Sequence, residues 1–319
     1  MKSNYPISSL TTLQIGGPAK KFVVIKTEDE LIEAIQYAEG DNLDFLIIGG
    51  GSNLLVSDQG VDKLIIKNGI TGISTSKVGF DSFEVKVKSG TLLQDLVNYA
   101  IQYGLSGLQK MTGIPGTVGG AVYGNAGAYG QTISDHLVEV TVLNSSAVIP
   151  ANAGIQLKNL LKEDCGFAYR DSGFKRNHST IIEVAFQLEN GDPKTLQQQA
   201  DEVLKKRLIK YPKGIKCPGS FFKNIVAETL SKDILDKIPP ENIVYDKLPA
   251  GKLLEEVGAK GDSLDGIEIA SYHANLFVNK GEGSAQAFYD LAKKYTQKVY
   301  EKFGITLEPE VQLINLPQL

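Results

Sequence analysis

The sequence predicts a protein of mixed α and β structure, either α/β or α+β, with more than one domain. Segments of strand type alternate along the chain with segments of helical periodicity. The chain has 319 residues, which favours two or three domains. Hydrophobic residues make up 42% of it and both charge signs are well mixed, a composition typical of a soluble globular protein with a sizeable core.

The N-terminal segment predicts a small α/β unit. Phe22–Lys26, Phe45–Ile48 and Leu64–Lys67 are short apolar segments of strand type. Thr27, followed three residues later by Glu30, forms a capping box that starts a helix. The apolar residues behind this box recur at helical spacing: Leu31, Ile32, Ile35 and Ala38.

A second unit begins with a half-buried strand. Apolar and charged residues alternate strictly in Phe83–Lys88. Thr91–Tyr103 has the pattern of an amphipathic helix that Gly104 ends. Leu137–Leu143 predicts another strand, and Ala147–Gln156 is interpreted as an irregular loop or an insertion.

The C-terminal third follows a predicted linker, Lys210–Gly219, which holds two prolines and two glycines. Gly251–Val257 and Gln286–Phe303 have helical patterns, and Leu307–Ile314 predicts a last strand. The longer helix carries an apolar stripe that we interpret as core packing. The stripe consists of Phe288, Leu291, Ala292, Tyr295, Val299 and Phe303.

Charge and cysteine content narrow the classes of function. The net charge of −4 gives no basic excess to neutralise a phosphate backbone, so no nucleic-acid partner is expected. The N-terminus lacks a signal-peptide layout and no apolar stretch reaches ~18 residues, so we expect a cytoplasmic protein without a membrane partner. Cys165 and Cys217 have no metal-ligand spacing and only three histidines occur, so no metal site is expected. With no histidine near it in sequence, Cys217 is expected to be inert.

The strand Phe45–Ile48 runs into a first glycine loop, Gly49-Gly50-Gly51-Ser52-Asn53. Glycine lets a backbone approach a ligand closely, and successive N–H groups can then hydrogen-bond a diphosphate. A Rossmann fingerprint would need a glycine at position 54 and a helix, whereas Leu54 stands there and Leu54-Leu55-Val56 has the pattern of a strand. A plain tight turn remains the alternative.

A second segment, Gly113–Gly130, is dense in glycine. Each glycine would weaken an ordinary helix or strand by about 0.5–1 kcal/mol, which favours a backbone that itself lines a ligand. A flexible linker is a poor alternative, because the segment contains rigid Pro115 and apolar Ile114 and Val118.

These glycine segments belong to a set of seven that spans nearly the whole chain. Through the set, the chain closely resembles the UDP-N-acetylenolpyruvoylglucosamine reductases, the flavoenzymes that make UDP-N-acetylmuramate. The segments, in the family's order, are Thr11–Ala19, Ile47–Val56, Gly113–Gly130, Phe167–Lys175, Gly219–Asn224, Ala250–Gly261 and Leu307–Val311.

The resemblance implies an α+β fold with a two-subdomain FAD-binding fold of the vanillyl-alcohol-oxidase/PCMH type and a C-terminal α/β substrate-binding domain. Its implied division is 1–70 and 71–209 for the FAD subdomains, 210–304 for the substrate domain and 305–319 for a strand that returns to the active site. We expect non-covalent FAD, since neither glycine loop carries a histidine or cysteine in its motif. NADPH as co-substrate, UDP-N-acetylglucosamine enolpyruvate as substrate and a monomeric state complete the expectation.

The resemblance also implies which residues contact FAD, with the first loop at the pyrophosphate and the second along the flavin. The cofactor residues so implied are Gly49, Gly50, Gly51, Ser52, Asn53, Leu54, Gly113, Ile114, Pro115, Gly116, Thr117, Gly119, Gly120, Ala121, Asn125, Ala126, Gly127 and Ala128.

The implied reaction passes a hydride from NADPH to flavin and then to the methylene carbon of the enolpyruvyl group. The neighbouring carbon then carries negative charge, delocalised into the carboxylate, and must receive a proton. Arg170 is the implied electrophile, because its planar guanidinium matches a carboxylate and stays charged. An ion pair with Asp171 or Asp164 is the ordinary alternative.

Ser220 is the implied proton donor, although a helix N-cap is the common role of serine after glycine. Glu310 would polarise the substrate carboxylate or enol in its protonated form. The predicted strand places Glu310 on the same face as Glu308, which is its competitor.

Tyr169, Lys210 and Asn224 are the implied substrate-binding residues, with Lys210 at the diphosphate and Lys223 as a rival cation. Ile225 and Gln312 depart from the family, which usually has proline and often arginine there. About forty residues separate Arg170 from Lys210, the spacing of the short-loop form, so no substrate-covering tyrosine is inferred. The competing functions are another FAD-dependent oxidoreductase of this fold, such as an alcohol oxidase, and a non-catalytic sugar-nucleotide-binding protein.

Overall fold

The computed structural model describes residues 1–144, 156–177, 179–236 and 238–319. The strands are β1 (Lys2–Pro6), β2 (Pro18–Ile25), β3 (Phe45–Ile48), β4 (Leu54–Val56), β5 (Val61–Asn68), β6 (Ile73–Lys77), β7 (Ser82–Lys88), β8 (Leu105–Ser106), β9 (Gly127–Ala128), β10 (Gln131–Thr132), β11 (Leu137–Asn144), β12 (Gln156–Leu161), β13 (Thr180–Asn190), β14 (Ile225–Val226), β15 (Lys247–Leu248), β16 (Ser263–Leu264), β17 (Ile267–Ile269), β18 (Phe277–Asn279) and β19 (Gln312–Ile314). The α-helices are α1 (Glu28–Gly40), α2 (Leu93–Gln102), α3 (Val118–Tyr123), α4 (Gly173–Asn177), α5 (Pro193–Lys210), α6 (Lys232–Leu235), α7 (Ala250–Glu256) and α8 (Ala285–Phe303). None of these helices combines the length and the apolarity needed to cross a membrane.

The chain divides into two compact units. Unit 1 contains residues 1–2, 21–50 and 63–209. Unit 2 contains residues 3–20, 51–62 and 210–319, so two N-terminal segments belong with the C-terminal third.

Unit 1 is built around an antiparallel sheet in which β12, β11, β13, β7 and β6 follow one another and β8 pairs with β13. The predicted alternation of β7 is confirmed, because Val85 and Val87 are fully buried while the charged positions lie on the other face. Helix α2 packs on this sheet and starts two residues later than predicted. Thr91 does not cap it; its hydroxyl accepts a hydrogen bond from Gly72 N (3.1 Å).

A second sheet, in the order β1, β2, β5 and β3, confirms the three N-terminal strands. Helix α1 begins after Thr27, whose hydroxyl accepts from Glu30 N at 3.2 Å. In a capping box the Glu30 carboxylate would accept from Thr27 N. It accepts instead from Lys26 N, one residue earlier, at 2.5 Å. The predicted helix start is therefore confirmed, with a shifted second bond.

Unit 2 packs a three-stranded antiparallel sheet, β16, β17 and β18, with α7 and α8. The predicted stripe of α8 lies in this core, where Phe288, Leu291, Ala292, Tyr295 and Val299 are buried. Four aromatic rings meet at its centre, with neighbouring centroids 4.8–6.1 Å apart. They belong to Phe221, Phe222, Phe277 and Phe288.

Several segments differ from the sequence predictions or were not predicted. The predicted strand Leu307–Ile314 is reduced to Gln312–Ile314, which pairs in parallel with β4. The glycine-dense segment contains a short helix, α3, and the long helix α5 was not predicted, since only Leu196, Ala200 and Val203 are buried along it. In the predicted irregular stretch, residues 147–155 lie outside the described ranges and Gln156 begins β12.

Candidate active site

In unit 1 the first glycine loop packs directly against the second. A β-carbon at Gly49 would lie 2.2 Å from Thr117 Oγ1, and one at Gly50 would lie 2.5 Å from Gly116 Cα. Both positions therefore exclude any side chain. Thr117 also starts α3, because its hydroxyl accepts from Gly120 N at 3.4 Å. No helix follows the first loop, which confirms that the Rossmann interpretation fails.

A lysine that was not predicted from the sequence is hydrogen-bonded to the first loop. Lys67 on β5 donates a hydrogen bond from Nζ to the carbonyl oxygen of Gly49. Desolvation by burial lowers the pKa of this ammonium from its ordinary value. Lys67 thus holds a half-buried positive charge at a backbone loop suited to a diphosphate.

In unit 2 the remainder of the first loop is fixed by backbone contacts. Gly51 has φ +65°, and a β-carbon there would lie 2.0 Å from Leu10 O. Thr12 donates from N to Gly51 O (3.1 Å) and from Oγ1 to Cys217 O (2.7 Å). Asn53 donates from Nδ2 to Glu310 O (3.1 Å). A predicted cofactor residue is thereby bonded to the backbone of a predicted catalytic one.

The second loop presents a buried acceptor. Asn125 is 5% exposed and has φ +41°, and its Nδ2 donates to Ala168 O at 2.8 Å. Its Oδ1 is buried without a hydrogen-bond partner among the described residues. A buried amide oxygen in this state calls for a donor from a ligand or water, since leaving it unmade costs about 1–3 kcal/mol. The imide N–H of a flavin and the hydroxyls of its ribityl chain are donors of that kind.

The other predicted cofactor residues lie along the same two loops. Ser52 and Leu54 complete the first, and Leu54 is buried at the start of β4. The second has Gly119 tight against Ser89, where a β-carbon would lie 2.8 Å from Ser89 Cβ. Its remaining predicted members are Gly113, Ile114 and Pro115 before α3, Ala121 within it, Ala126 after it, and Gly127 and Ala128 in β9.

Arg170 lies in a tight turn that docks on the second loop. Ala168 and Asp171 exchange backbone hydrogen bonds of 3.1 and 3.2 Å around Tyr169 and Arg170. Arg170 Nη2 donates to Gly127 O at 2.8 Å, and its guanidinium carbon lies 5.4 Å from the Tyr169 ring centroid. The guanidinium is thus held on the backbone of the predicted flavin loop.

The backbone of this turn is strained at Arg170 itself. Arg170 has φ +55°, a left-handed conformation that costs a non-glycine residue on the order of 1 kcal/mol. Lys175 Nζ donates to Arg170 O (2.7 Å), and fully buried Ser172 donates to Tyr123 O (2.7 Å). The carboxylate of Asp171, offered as the partner of Arg170, forms an ion pair with Arg176.

In unit 2, Ser220 lies in extended chain and not at a helix start, so the N-cap alternative is wrong. Gly219 before it has φ +93°, and a β-carbon added there would have no atom within 4 Å. The Ser220 hydroxyl is 3.0 Å from the hydroxyl of Tyr211. Tyr211 was not singled out from the sequence, because the linker around it gives no pattern.

Glu310 is brought beside the Ser220 segment by antiparallel backbone pairing. Glu310 N donates to Phe221 O at 2.7 Å, and Lys223 N donates to Glu308 O at 2.9 Å. The prediction that Glu310 lies on a strand is wrong: strand β19 begins two residues later, after Val311 N also turns to Phe221 O. Val311 N is 3.5 Å from this oxygen, and β19 pairs with β4.

An ion pair distinguishes one competing glutamate and one competing lysine from the other two candidates. Glu308 forms an ion pair with Lys223, with Nζ and Oε1 2.6 Å apart. The two residues of this pair are the alternatives that the sequence left open for Glu310 and for Lys210. Lys210 is the last residue of α5, at the start of the linker. Asn224 has a structural bond, since its Oδ1 accepts from Ala250 N at 3.2 Å where α7 begins.

Asn275 is a further residue that sequence reasoning missed. It is 3% exposed, and its side chain pairs with both backbone groups of Phe222: Nδ2 to O and N to Oδ1, each 2.8 Å. Its own carbonyl accepts from Phe221 N at 3.0 Å. Asn275 therefore acts as a strand partner that fixes the residues after Ser220. A single polar residue gives no periodic signal.

Both thiols are unsuited to covalent chemistry. Burial and two neighbouring carboxylates, Asp164 and Glu163, raise the pKa of the Cys165 thiol to about 11. Burial also raises the pKa of Cys217. Since the thiolate is the reactive form, both cysteines are poor nucleophiles, as expected for Cys217.

Comparisons with known proteins agree with one another. Residues 211–314 match the family described as UDP-N-acetylenolpyruvoylglucosamine reductase, C-terminal domain, and residues 19–149 match the FAD binding domain family. The chain is 37% identical to UDP-N-acetylenolpyruvoylglucosamine reductase of Solibacter usitatus (strain Ellin6076), covering 99% of this chain and 97% of the relative. It is 34% identical to UDP-N-acetylenolpyruvoylglucosamine reductase 2 of Bacillus cereus (strain ATCC 10987 / NRS 248), covering 99% and 93%.

A solved structure extends the agreement to the fold. The crystal structure of UDP-N-acetylenolpyruvylglucosamine reductase from Thermus caldophilus superposes with a TM-score of 0.73 at 29% identity, over 97% of both chains. Together with the two domain matches, this confirms the predicted α+β fold with an FAD-binding domain followed by a C-terminal domain of the reductase type.

Proposed function

The chain belongs to the UDP-N-acetylenolpyruvoylglucosamine reductase family, and from this we propose that it reduces UDP-N-acetylglucosamine enolpyruvate to UDP-N-acetylmuramate with NADPH and FAD. The observation that carries the proposal is the backbone pairing of Glu310 with Phe221, which brings a carboxyl next to the Ser220 segment in unit 2. Such a pair can supply both polarisation and a proton.

The residues present fit FAD. The close-packed glycines of the first loop, the half-buried ammonium of Lys67 and the unpartnered Oδ1 of Asn125 suit a diphosphate and a ring that donates hydrogen bonds. When bound there, FAD would supply the hydride-transfer chemistry between NADPH and the methylene carbon of the enol ether. The high thiol pKa of Cys165 and the burial of Cys217 support non-covalent binding.

Arg170 would bind the substrate carboxylate and stabilise the charge that develops on it. Its hydrogen bond to Gly127 O and the strained turn hold the guanidinium in place before substrate arrives. Preorganised charge of this kind usually contributes more to catalysis than any other single effect. Tyr169, against which the guanidinium packs, would complete this contact.

Ser220 would protonate the carbon next to the carboxylate, and Glu310 would polarise the enol. Lys210 would bind the substrate diphosphate, a role favoured over Lys223 because Lys223 already pairs with Glu308. Asn224 would keep the Ser220 segment registered with α7 through Ala250.

Further parts of the proposal concern organisation. We propose residues 1–70, 71–209, 210–304 and 305–319 as the functional divisions, and a monomer that acts in the cytoplasm without nucleic acid or membrane. The acidic net charge of −4 supports the absence of a nucleic-acid partner. Sedimentation equilibrium of the FAD-loaded protein tests the monomer, since a dimer would double the apparent mass.

Anaerobic stopped-flow spectroscopy tests the function. NADPH should bleach the yellow protein, and UDP-N-acetylglucosamine enolpyruvate should restore the flavin absorbance with formation of UDP-N-acetylmuramate. Bleaching followed by reoxidation with oxygen or an alcohol-derived product alone would favour another oxidoreductase of this fold. Folded protein that binds the sugar nucleotide but takes up no FAD would favour a non-catalytic binding protein. Acid or heat should release the flavin intact.

A further inference from the structure

Ser220 has one hydroxyl neighbour, Tyr211, among the hydrogen bonds described for its side chain. The two oxygen atoms are 3.0 Å apart. Tyr211 is the first residue after α5, and its ring packs beside Cys217, Ala270 and Leu276 in unit 2. The ring is partly buried, which leaves the phenol both anchored and within reach of solvent.

A partly buried histidine lies beside Tyr211. The ring centroids of Tyr211 and His273 are 6.4 Å apart, and His273 Nδ1 accepts from Asn275 N at 3.2 Å. Asn275 in turn holds the backbone of Phe221 and Phe222, which follow Ser220. The His273–Asn275 segment therefore contacts both the chain that follows Ser220 and the ring of Tyr211.

We propose that Tyr211 is a positioning residue that orients the Ser220 hydroxyl and returns its proton after each turnover. This rests on the proposed function, in which Ser220 gives a proton to the substrate. When Tyr211 donates to Ser220 Oγ, the serine hydrogen points elsewhere and becomes available to the substrate carbon. Acceptance of that bond also makes the serine hydroxyl a better acid.

The proton steps balance. The carbanion electron pair forms a new C–H bond as the Ser220 O–H bond breaks, which leaves an alkoxide. The Tyr211 O–H then breaks and its proton moves to Ser220 Oγ, a favourable direction because a phenol, with a pKa of about 10, is far more acidic than an aliphatic alcohol. Water reprotonates the phenolate, so no further reactant is needed.

The test is a double-mutant cycle on the holoenzyme, measured separately in the two half-reactions by anaerobic stopped flow. Tyr211→Phe keeps the ring that packs against Cys217 and removes only the hydroxyl. We expect flavin reduction by NADPH to stay within about twofold of the parent. Reoxidation by UDP-N-acetylglucosamine enolpyruvate should slow about tenfold, the effect of one lost hydrogen bond in the site.

The cycle identifies the route of the effect. In the Ser220→Ala background, Tyr211→Phe should change reoxidation by less than about twofold, because a residue that acts through Ser220 has nothing left to act on. In the single variant Tyr211→Phe, in which Ser220 is intact, the solvent isotope effect on the reoxidation rate should also differ from that of the parent. Tyr289→Phe is the matched control: it removes a buried-tyrosine hydrogen bond from α8 to Gln318 O and should leave both half-reactions unchanged.

Three outcomes would overturn the inference. Reoxidation of Tyr211→Phe at the parent rate would show that the hydroxyl is unimportant, and multiplicative losses in the double variant would show that it acts independently of Ser220. Equal slowing of both half-reactions would show a general structural role. If the enolpyruvyl substrate does not reoxidise the parent protein, the proposed function is wrong, and the inference that rests on it is wrong too.

Discussion

At the scale of single residues, each candidate is distinguished by its partners more than by its type. Glu308 and Lys223 form an ion pair with each other. Glu310 has its backbone fixed at both ends, by Phe221 O and by Asn53 Nδ2. A carboxyl on a fixed backbone suits a directional role, which leads to the first prediction.

Glu310→Gln should slow substrate-driven reoxidation by about 10²-fold or more, because it preserves size but removes the ionisable proton. Flavin reduction by NADPH should be unaffected. Glu308→Gln is the matched control and should be near normal, since that carboxylate pairs with Lys223. A normal Glu310→Gln with a slow Glu308→Gln would reverse the assignment; both rates come from the same stopped-flow traces.

Lys210→Ala should raise the KM for the sugar nucleotide and leave flavin reduction largely unchanged, since a diphosphate contact is mostly uniform binding. Lys223→Ala should have a smaller effect on KM, because its ammonium is already paired. Steady-state kinetics of both variants decide between them. A larger KM change in Lys223→Ala would transfer the diphosphate contact to that residue.

Lys67→Met should weaken FAD binding about tenfold, because a half-buried positive charge near a diphosphate is lost. Titration of apoprotein with FAD and with riboflavin measures this without any turnover. Riboflavin lacks the diphosphate, so its affinity should not change. Lys63→Met on the same strand removes an exposed ion pair with Asp44 and should bind FAD normally. Equal loss of FAD and riboflavin binding would mean that Lys67 only supports the loop.

At the scale of elements, a local signal predicted the start of α1 correctly, whereas the ends of the last strand were wrong. Thr27, predicted from the sequence, caps α1 through its hydroxyl, and Ser284, which was not predicted, caps α8 in the same way. In α8, Asp58 from a distant part of unit 2 adds two further bonds, to Ala285 N (2.9 Å) and Gln286 N (3.0 Å). A carboxylate at a helix N-terminus is stabilising.

Asp58→Ala should therefore lower the free energy of unfolding by about 1 kcal/mol, the usual cost of losing an N-terminal cap. Urea unfolding of the holoprotein measures the change. Asp62→Ala removes a surface carboxylate, 83% exposed, that pairs with Lys20, and should cost less than half as much. Equal effects of the two substitutions would mean that the contact with α8 contributes nothing.

At the scale of the whole molecule, the partly buried His273 couples stability to pH. Burial and, to a smaller extent, Lys210 lower the pKa of His273 below 6.5, while Glu255 opposes and Lys260 adds to this shift. The folded protein therefore binds the histidine proton less readily than the unfolded chain. The resulting stability is complete above pH ~6.5 and is lost as the pH falls through the lowered folded pKa.

His273→Asn should make stability less sensitive to acid between pH 7 and pH 5 on the order of one titrating group. The asparagine oxygen can still accept from Asn275 N, so the loop should persist. Urea midpoints of the parent and the variant across this range give the comparison. Parallel curves for the parent and His273→Asn would contradict the assignment.

The sequence by itself determined the features that depend on neighbours in the chain. Alternation predicted β7, helical spacing predicted α8, a polar cap predicted the start of α1, and seven ordered segments predicted the family. These signals are local, because side-chain periodicity and capping act over a few residues. Helix α5 escaped because a mostly polar surface leaves few apolar positions to recur.

Only the tertiary structure decided which groups partner one another. The bond from Tyr211 to Ser220, the bond from Lys67 to Gly49 and the ion pair between Lys223 and Glu308 join residues 9, 18 and 85 positions apart. It also placed Glu310 on irregular chain, where its backbone contacts Phe221 just before β19 begins. Such contacts arise when distant segments pack, so periodicity and composition carry no record of them, and the chemistry of each side chain is set by that packing.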